Sequence, residues 1–334
     1  MNSKKISNLI KATSFLLIAV ILFSIVTTIY ERKTYTGSWN YMAKMNEFYD
    51  LPNDSIEYIC VGSSHAYCTV NPLEVWNKSG IKGFTLATQQ QPLQASYHYI
   101  KEAFKTQSPK IVFLEGLMVS STSFSEGVLY DAIDPLRFSF NKLQMIHSLT
   151  ENGDREPYYF NILKYHSRWK EFTAKNLDTV FNPPIDHYKG FVALNGSFNA
   201  TNQIPDYEKT EAIDIPKQNL DILEDILQFV KKNGAELIIM IAPMDAESTA
   251  GYMKSLHSWG QSKNVPIIDY SLMLDQLGVD ASKDYFDASH LDISGAAKIS
   301  RHLSDFLETK NLKSDKNDKD WQNDYDKYYS IARF

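Results

Sequence analysis

The chain has 334 residues, 43% of them hydrophobic and 13% aromatic, enough apolar material for one large folded domain with insertions or for two small ones, and too much for a largely disordered chain. Its 34 basic and 40 acidic residues give a net charge of −6, which gives no reason to expect nucleic-acid binding, a function that normally calls for a basic face. No Cys/His spacing resembles a zinc site, and no metal or cofactor is expected.

Ala12 to Tyr30 carries no charged residue and is about long enough to cross a bilayer core. Lys4, Lys5 and Lys11 precede it, and Glu31, Arg32 and Lys33 follow. The basic side favours an N-terminus in the cytoplasm and the rest of the chain outside, anchored in the cell membrane by a single span. A cleaved signal peptide is the rival reading, although Ser24-Ile25-Val26 and Thr27-Thr28-Ile29 are poor cleavage sites. A buried helix of a soluble protein normally keeps a polar face, and this one offers only Ser and Thr.

Residues 34–54 read as a short amphipathic stalk, and 55–312 as the main domain. Ile56 to Val61 is a β-rich apolar run stopped by Gly62, and Gly83–Ala87 is a second strand. Leu93, Tyr97, Ile100 and Phe104 have helical spacing, and Lys110–Glu115 is a third strand. From about 118 to 215 the rhythm breaks into an aromatic-rich, partly helical insertion expected over the carboxyl edge of the sheet. Leu220, Leu223, Ile226, Leu227 and Val230 mark an amphipathic helix ended by Asn233-Gly234. Glu236–Ile241 and Pro266–Asp269 are the fourth and fifth strands, with a helix over 250–263 between them. A last helix runs from Ser294, a candidate N-cap, to Leu307, and residues 313–334 form a polar tail expected to be a solvated helix or disordered. Apolar strands alternating with helices predict an α/β fold, a doubly wound, flavodoxin-like parallel five-stranded sheet. Cys60 and Cys68 are expected as buried free thiols, a disulfide between them being the alternative.

Two short segments carry the chemistry. In Val61-Gly62-Ser63-Ser64-His65 a strand stops at a glycine and small polar residues, where a serine stands clear of the sheet edge. Alone this is equally a turn with an N-cap. In Asp287-Ala288-Ser289-His290-Leu291 an acid precedes a histidine by three residues ahead of a helix, so the acid can orient the imidazole. Alone this is equally a capped surface turn. Together they are more specific, because both fall at the carboxyl edge of a doubly wound sheet, where ligands bind.

These blocks resemble those of the SGNH (GDSL-like) hydrolases over roughly residues 56–115 and 216–309. Gly62-Ser63-Ser64 stands where that family carries Gly-Asp-Ser, and Asp287 to Leu291, running on to Gly295-Ala296, resembles its final Asp-x-x-His block. The resemblance implies Ser64 as nucleophile, with Asp287 and His290 as acid and base, Ser63 being the minority candidate for nucleophile. It also implies oxyanion donors that this chain alters. Ala87-Thr88-Gln89-Gln90-Gln91-Pro92 replaces a glycine block, with Gln89 near the glycine's place, and Leu114-Glu115-Gly116-Leu117-Met118 lacks the usual asparagine. The altered pattern is similar to anchored SGNH-like proteins, the teichoic-acid D-alanyl transfer protein and, more distantly, polysaccharide O-acetylation proteins. That likeness implies transfer of an acyl group to, or its removal from, a cell-surface glycan or teichoic-acid-like polymer, beside a membrane-bound O-acyltransferase. The competing reading is a catalytically silent envelope binding or scaffold protein.

Three further features admit two readings each. His65 is too close to Ser64 in sequence for a general base and is expected in a supporting role. Glu115 either bonds the Gly62–Ser64 turn or orients a donor, or it is a plain surface carboxylate. His166, Arg168 and Trp169 either bind an anionic or sugar-like substrate or sit on a helix that packs onto the domain.

Overall fold

The computed structural model describes residues 3–30, 40–200, 204–244 and 249–332. Glu31, Arg32, Lys33, residues 34–39 of the expected stalk and residues 333–334 of the expected tail lie outside the described residues.

The elements run α1 (Ser3–Tyr30), α2 (Tyr41–Asp50), β1 (Tyr58–Gly62), α3 (Ser64–Tyr67), α4 (Pro72–Ser79), β2 (Gly83–Ala87), α5 (Leu93–Ala103) and β3 (Ile111–Glu115). The insertion holds α6 (Glu126–Ile133), α7 (Phe140–Leu149), α8 (Glu156–Tyr159), α9 (Asn161–Tyr165), a 3-10 turn at His166–Glu171 and α10 (Ala174–Phe181). Then follow α11 (Lys217–Lys232), β4 (Glu236–Ile241), α12 (Ala250–Lys263), β5 (Ile267–Asp269), α13 (Leu274–Leu277), α14 (Ile293–Glu308) and α15 (Lys319–Ile331).

All strand pairs are parallel, in the order β2-β1-β3-β4-β5. This is the doubly wound, flavodoxin-like order expected from the alternating strands and helices. Because both faces are covered, the strands are apolar throughout. Ile59, Val61, Val112, Leu114, Leu237 and Ile239 face one core with α5 and α11. Cys60, Phe113, Ile238 and Met240 face the other with α14. Cys60 and Cys68 are free buried thiols. The strand order changes direction between β1 and β3, and the loop after β1 opens at that switch point.

α1 is long and apolar enough to cross a membrane, and the most apolar part of it is unburied. The segment expected as a stalk behaves differently beyond residue 40. α2 packs into the domain through Tyr41, Met45 and Phe48, capped by the Asn40 side chain on the Ala43 amide. The polar tail likewise forms α15, which lies on α4 with Trp321 and Tyr328 buried rather than standing in solvent. A buried ion network joins these two outlying helices: Lys189 Nζ donates to Glu47 (2.7 Å) on α2 and to Asp324 (2.5 Å) on α15. The insertion spreads more widely than the carboxyl edge. α7 packs on α5, Lys189 reaches the outer edge of β2 by accepting the Thr85 amide, and Phe198 donates its amide to Tyr285 beside the Asp287–His290 loop.

Candidate active site

β1 ends at Gly62 because nothing larger fits: a Cβ there would sit 2.5 Å from the Glu115 Cβ at the end of β3. The close approach lets Glu115, fully buried, grip the turn. Its Oε2 accepts the Ser63 hydroxyl (2.7 Å) and amide (3.3 Å), and its Oε1 accepts the Leu117 amide at 2.6 Å. Burial pushes the Glu115 carboxyl above its ordinary range, opposed by these donors. Ser63 is thereby turned inward and caps α3 through the His65 amide at 3.3 Å. Ser64, the first residue of α3, faces the other way.

The opposing loop is built on Asp292, whose side chain caps α14 by accepting the Ser294 (2.9 Å) and Gly295 (3.0 Å) amides. The N-cap is therefore Asp292 and not Ser294, since a carboxylate two residues before Ser294 reaches both orphan amides of the first turn. Buried Asp284 ties the loop base to the helix through the Ser294 hydroxyl (2.8 Å) and Lys298 (2.5 Å). Gly295 admits the Asp284 carbonyl, which a Cβ would meet at 2.4 Å. Tyr285 and Leu291 then pair as an isolated bridge, and Asp287 and His290 stand on the turn between them.

Across this gap the Ser64 Oγ and His290 Nε2 are 2.8 Å apart, although 226 residues separate them in sequence. His290 Nδ1 lies 2.9 and 3.0 Å from the two Asp287 oxygens. A carboxylate only accepts, so Nδ1 carries the proton and Nε2 is left to accept the Ser64 hydroxyl. Burial acts to raise the Asp287 carboxyl, but His290 and the Ser289 and His290 amides outweigh it and hold the group below its ordinary value. The line runs from buried Ser64, 7% exposed, to an Asp287 side chain 45% exposed.

His65 packs its ring 5.1 Å from that of His290, and its buried Nδ1 has no hydrogen-bond partner among the described residues. Burial, then the neighbouring His290, lowers its pKa to about 3, so it is neutral at ordinary pH. Gln89 is exposed, and its amide donates 3.0 Å to the Tyr41 hydroxyl. Tyr41 in turn lies 3.5 Å from the Tyr67 hydroxyl, which pairs with the Ser64 side chain. Burial pushes both phenols well above their ordinary pKa, so both stay protonated. These two tyrosines are the site residues that sequence reasoning missed: Tyr67 lies three positions after Ser64, one helical turn on, but Tyr41 comes from the segment read as stalk.

His166, Arg168 and Trp169 are not brought to Ser64. Arg168 donates to the Tyr30 carbonyl (3.2 Å) at the end of α1 and to Glu171 (3.1 Å), His166 bonds the Leu163 carbonyl at 2.9 Å, and Trp169 is exposed. Their short turn packs along α1, not over the sheet edge. A cavity of about 510 Å³ opens where β4 and β5 end, lined by Ile204, Tyr207, Ile241, Met253 and Ser271 among others, and none of Ser64, His290 and Asp287 lines it. Among the described residues no group of His, Cys, Asp and Glu could hold a metal ion.

Fold and geometry together define a doubly wound α/β protein with a serine–histidine–aspartate hydrogen-bonded line at its switch point. No family model and no curated protein matches the chain. Among solved structures it is similar to a lipolytic protein of the G-D-S-L family from Desulfitobacterium hafniense DCB-2, at 10% identity and TM-score 0.39, covering 74% of this chain and 97% of that one. It is also similar to an acetyl xylan esterase from the rumen bacterium Butyrivibrio proteoclasticus, at 8% identity and TM-score 0.33 over 78% of this chain and 65% of that one. A third likeness is to a gut microbial diltiazem-metabolizing enzyme, at 11% identity and TM-score 0.29 over 77% of this chain and 47% of that one.

Proposed function

We propose that this protein is a membrane-anchored, extracytoplasmic serine esterase or O-acyltransferase of the SGNH type, acting on acyl groups of a cell-surface glycan or teichoic-acid-like polymer. The observation that carries the chemistry is the 2.8 Å contact between Ser64 Oγ and a His290 Nε2 whose other nitrogen is bound by Asp287. Ser64 Oγ bonds to the acyl carbon of an ester or thioester while its proton passes to His290 Nε2. His290 returns the proton to the departing alcohol or thiol, leaving the acyl group on Ser64. Water or a polymer hydroxyl then attacks that carbonyl, loses its proton to His290, and frees Ser64 as the proton returns to Oγ. Asp287 holds the imidazole tautomer and balances the transient imidazolium.

The oxyanion needs donors, and the usual asparagine is replaced by the Gly116-Leu117-Met118 stretch. The Tyr67 hydroxyl, already against Ser64, fills that role, aided by the Ser64 amide, which as the first of α3 has no partner within the helix. Glu115 and Ser63 position the turn, and neutral His65 adds no charge beside the imidazolium. The anchor reading rests on α1, with its lysines at the cytoplasmic end, and a membrane-bound O-acyltransferase is the partner that would deliver an acyl group to this face.

Full-length protein in detergent is expected to be labelled by a fluorophosphonate, and the Ser64→Ala variant to lose the label. Labelling of that variant at the wild-type rate would remove Ser64 from its role. Supplying an acyl donor with a glycan acceptor separates the two activities: free acid as the sole product means hydrolysis, acylated glycan means transfer. No turnover with any acyl ester would instead leave a silent binding protein.

A further inference from the structure

The insertion exposes large apolar side chains, several of them on elements that pack against α1. Phe138, Phe140, Phe160, Leu163, Leu177 and Phe181 are all about half exposed or more, Phe181 reaching 81%. In α10 Leu177 and Phe181 lie four residues apart on one face, while Asn176, Asp178 and Asn182 satisfy one another or the backbone elsewhere. Single apolar residues on a surface need no explanation, but this many exposed on elements beside an apolar helix call for one.

What covers them is indicated by what they adjoin. α9, the His166–Glu171 turn and α10 all pack along α1, and the Phe160 ring meets Phe23 of α1 edge-on at 6.2 Å. Arg168 caps the last carbonyl of α1, at Tyr30, with Trp169 beside it. Tyr30 lies seven positions after Phe23, about 10 Å along the helix. If Tyr30 stands at the membrane surface, the contact with Phe23 lies about 10 Å beneath it, the depth to which interfacial helices sink. Arg168 and Trp169 then fall at headgroup level, where guanidinium groups snorkel and indoles collect. Residues 138–185 contain six Lys or Arg (142, 155, 164, 168, 170, 175) and five Asp or Glu (151, 154, 156, 171, 178), so attraction to charged headgroups is not the driving term.

We infer that the insertion is a monotopic membrane-docking surface, whose apolar side chains lie in the outer leaflet around α1 and hold the Ser64 site at a set height and tilt over the bilayer. The partner is phospholipid hydrocarbon. The inference rests on the proposed anchoring by α1.

The test uses the full chain, reconstituted in phosphatidylcholine vesicles, with an environment-sensitive fluorophore on single introduced cysteines. Cys60 and Cys68 are buried and spared by native labelling. Labels at Leu177→Cys and Phe181→Cys are expected to lose about half or more of their emission to lipids with quenchers high on the acyl chain. A label at Gln261→Cys, exposed at the end of α12 on the β5 side, should be unaffected. Raising salt from about 0.1 M to about 1 M should leave the pattern unchanged. Equal quenching at all three positions, or loss of the difference in high salt, overturns the docking surface. Retention of the chain in the vesicles through alkaline carbonate in that case leaves the anchor reading standing. Release by carbonate overturns both.

Discussion

His65 offers a quantitative check on how the site is packed. Its folded pKa, lowered to about 3 by burial and by His290, lies far below the roughly 6.5 of an unfolded histidine. The unfolded chain therefore binds a proton that the folded chain refuses. The resulting stability is complete above about pH 6.5 and declines as pH falls toward about 3. Linkage with these two values makes the loss between pH 7 and pH 5 about 2 kcal/mol. His98, lowered to about 4, and His302, also lowered by burial, act in the same direction, and buried Glu47 and Glu115, raised by burial, in the opposite one, so the wild-type slope alone would mix these titrations. Replacing His65 with Phe removes one titration and keeps the ring, and any packing penalty is a constant offset. Melting of the detergent-solubilised proteins at pH 7 and pH 5 should show the wild type losing about 3 °C more than His65→Phe over that interval. Parallel melting curves would mean that His65 is solvated or charged in the folded protein, and that the buried environment described beside His290 is wrong.

Other expectations follow from the same geometry. Asp287→Asn removes the group that fixes the proton on Nδ1, and fluorophosphonate labelling should slow about a thousandfold or more, with the protein still folded by circular dichroism. Tyr67→Phe should cut ester turnover about a hundredfold while leaving substrate KM within a few-fold, as loss of one oxyanion donor does; an unchanged kcat would move the oxyanion site elsewhere. Lys189→Met leaves the Glu47 and Asp324 carboxylates facing each other without their shared cation, and chemical unfolding should show a loss of about 3 kcal/mol or more.

Much of the architecture was legible locally. A parallel strand buried on two faces must be apolar along its length, and Ile56–Val61, Lys110–Glu115 and Glu236–Ile241 announce that without reference to any neighbour. The small-residue stop at Gly62-Ser63-Ser64 and the acid–histidine spacing of 287–290 are likewise local, so the hydroxyl and imidazole could be picked out before their meeting was visible. Composition misled at both ends of the domain. Lys, Asp and Asn dominate 313–334, yet Trp321, Tyr325 and Tyr328 fall on one helical face and bind α15 to the domain.

The sequence by itself determined the strands, the apolar α1 and the two short segments whose Ser64, Asp287 and His290 side chains meet in the structure, because hydrophobic period and turn chemistry act over a few residues. The tertiary structure decided which distant groups share a neighbourhood: Tyr41 from α2 beside Tyr67 and Ser64, Glu115 clasping the turn after β1, and His166, Arg168 and Trp169 against α1 and away from Ser64. Those choices depend on which surfaces bury each other, and burial is a property of pairs of elements that no single segment carries.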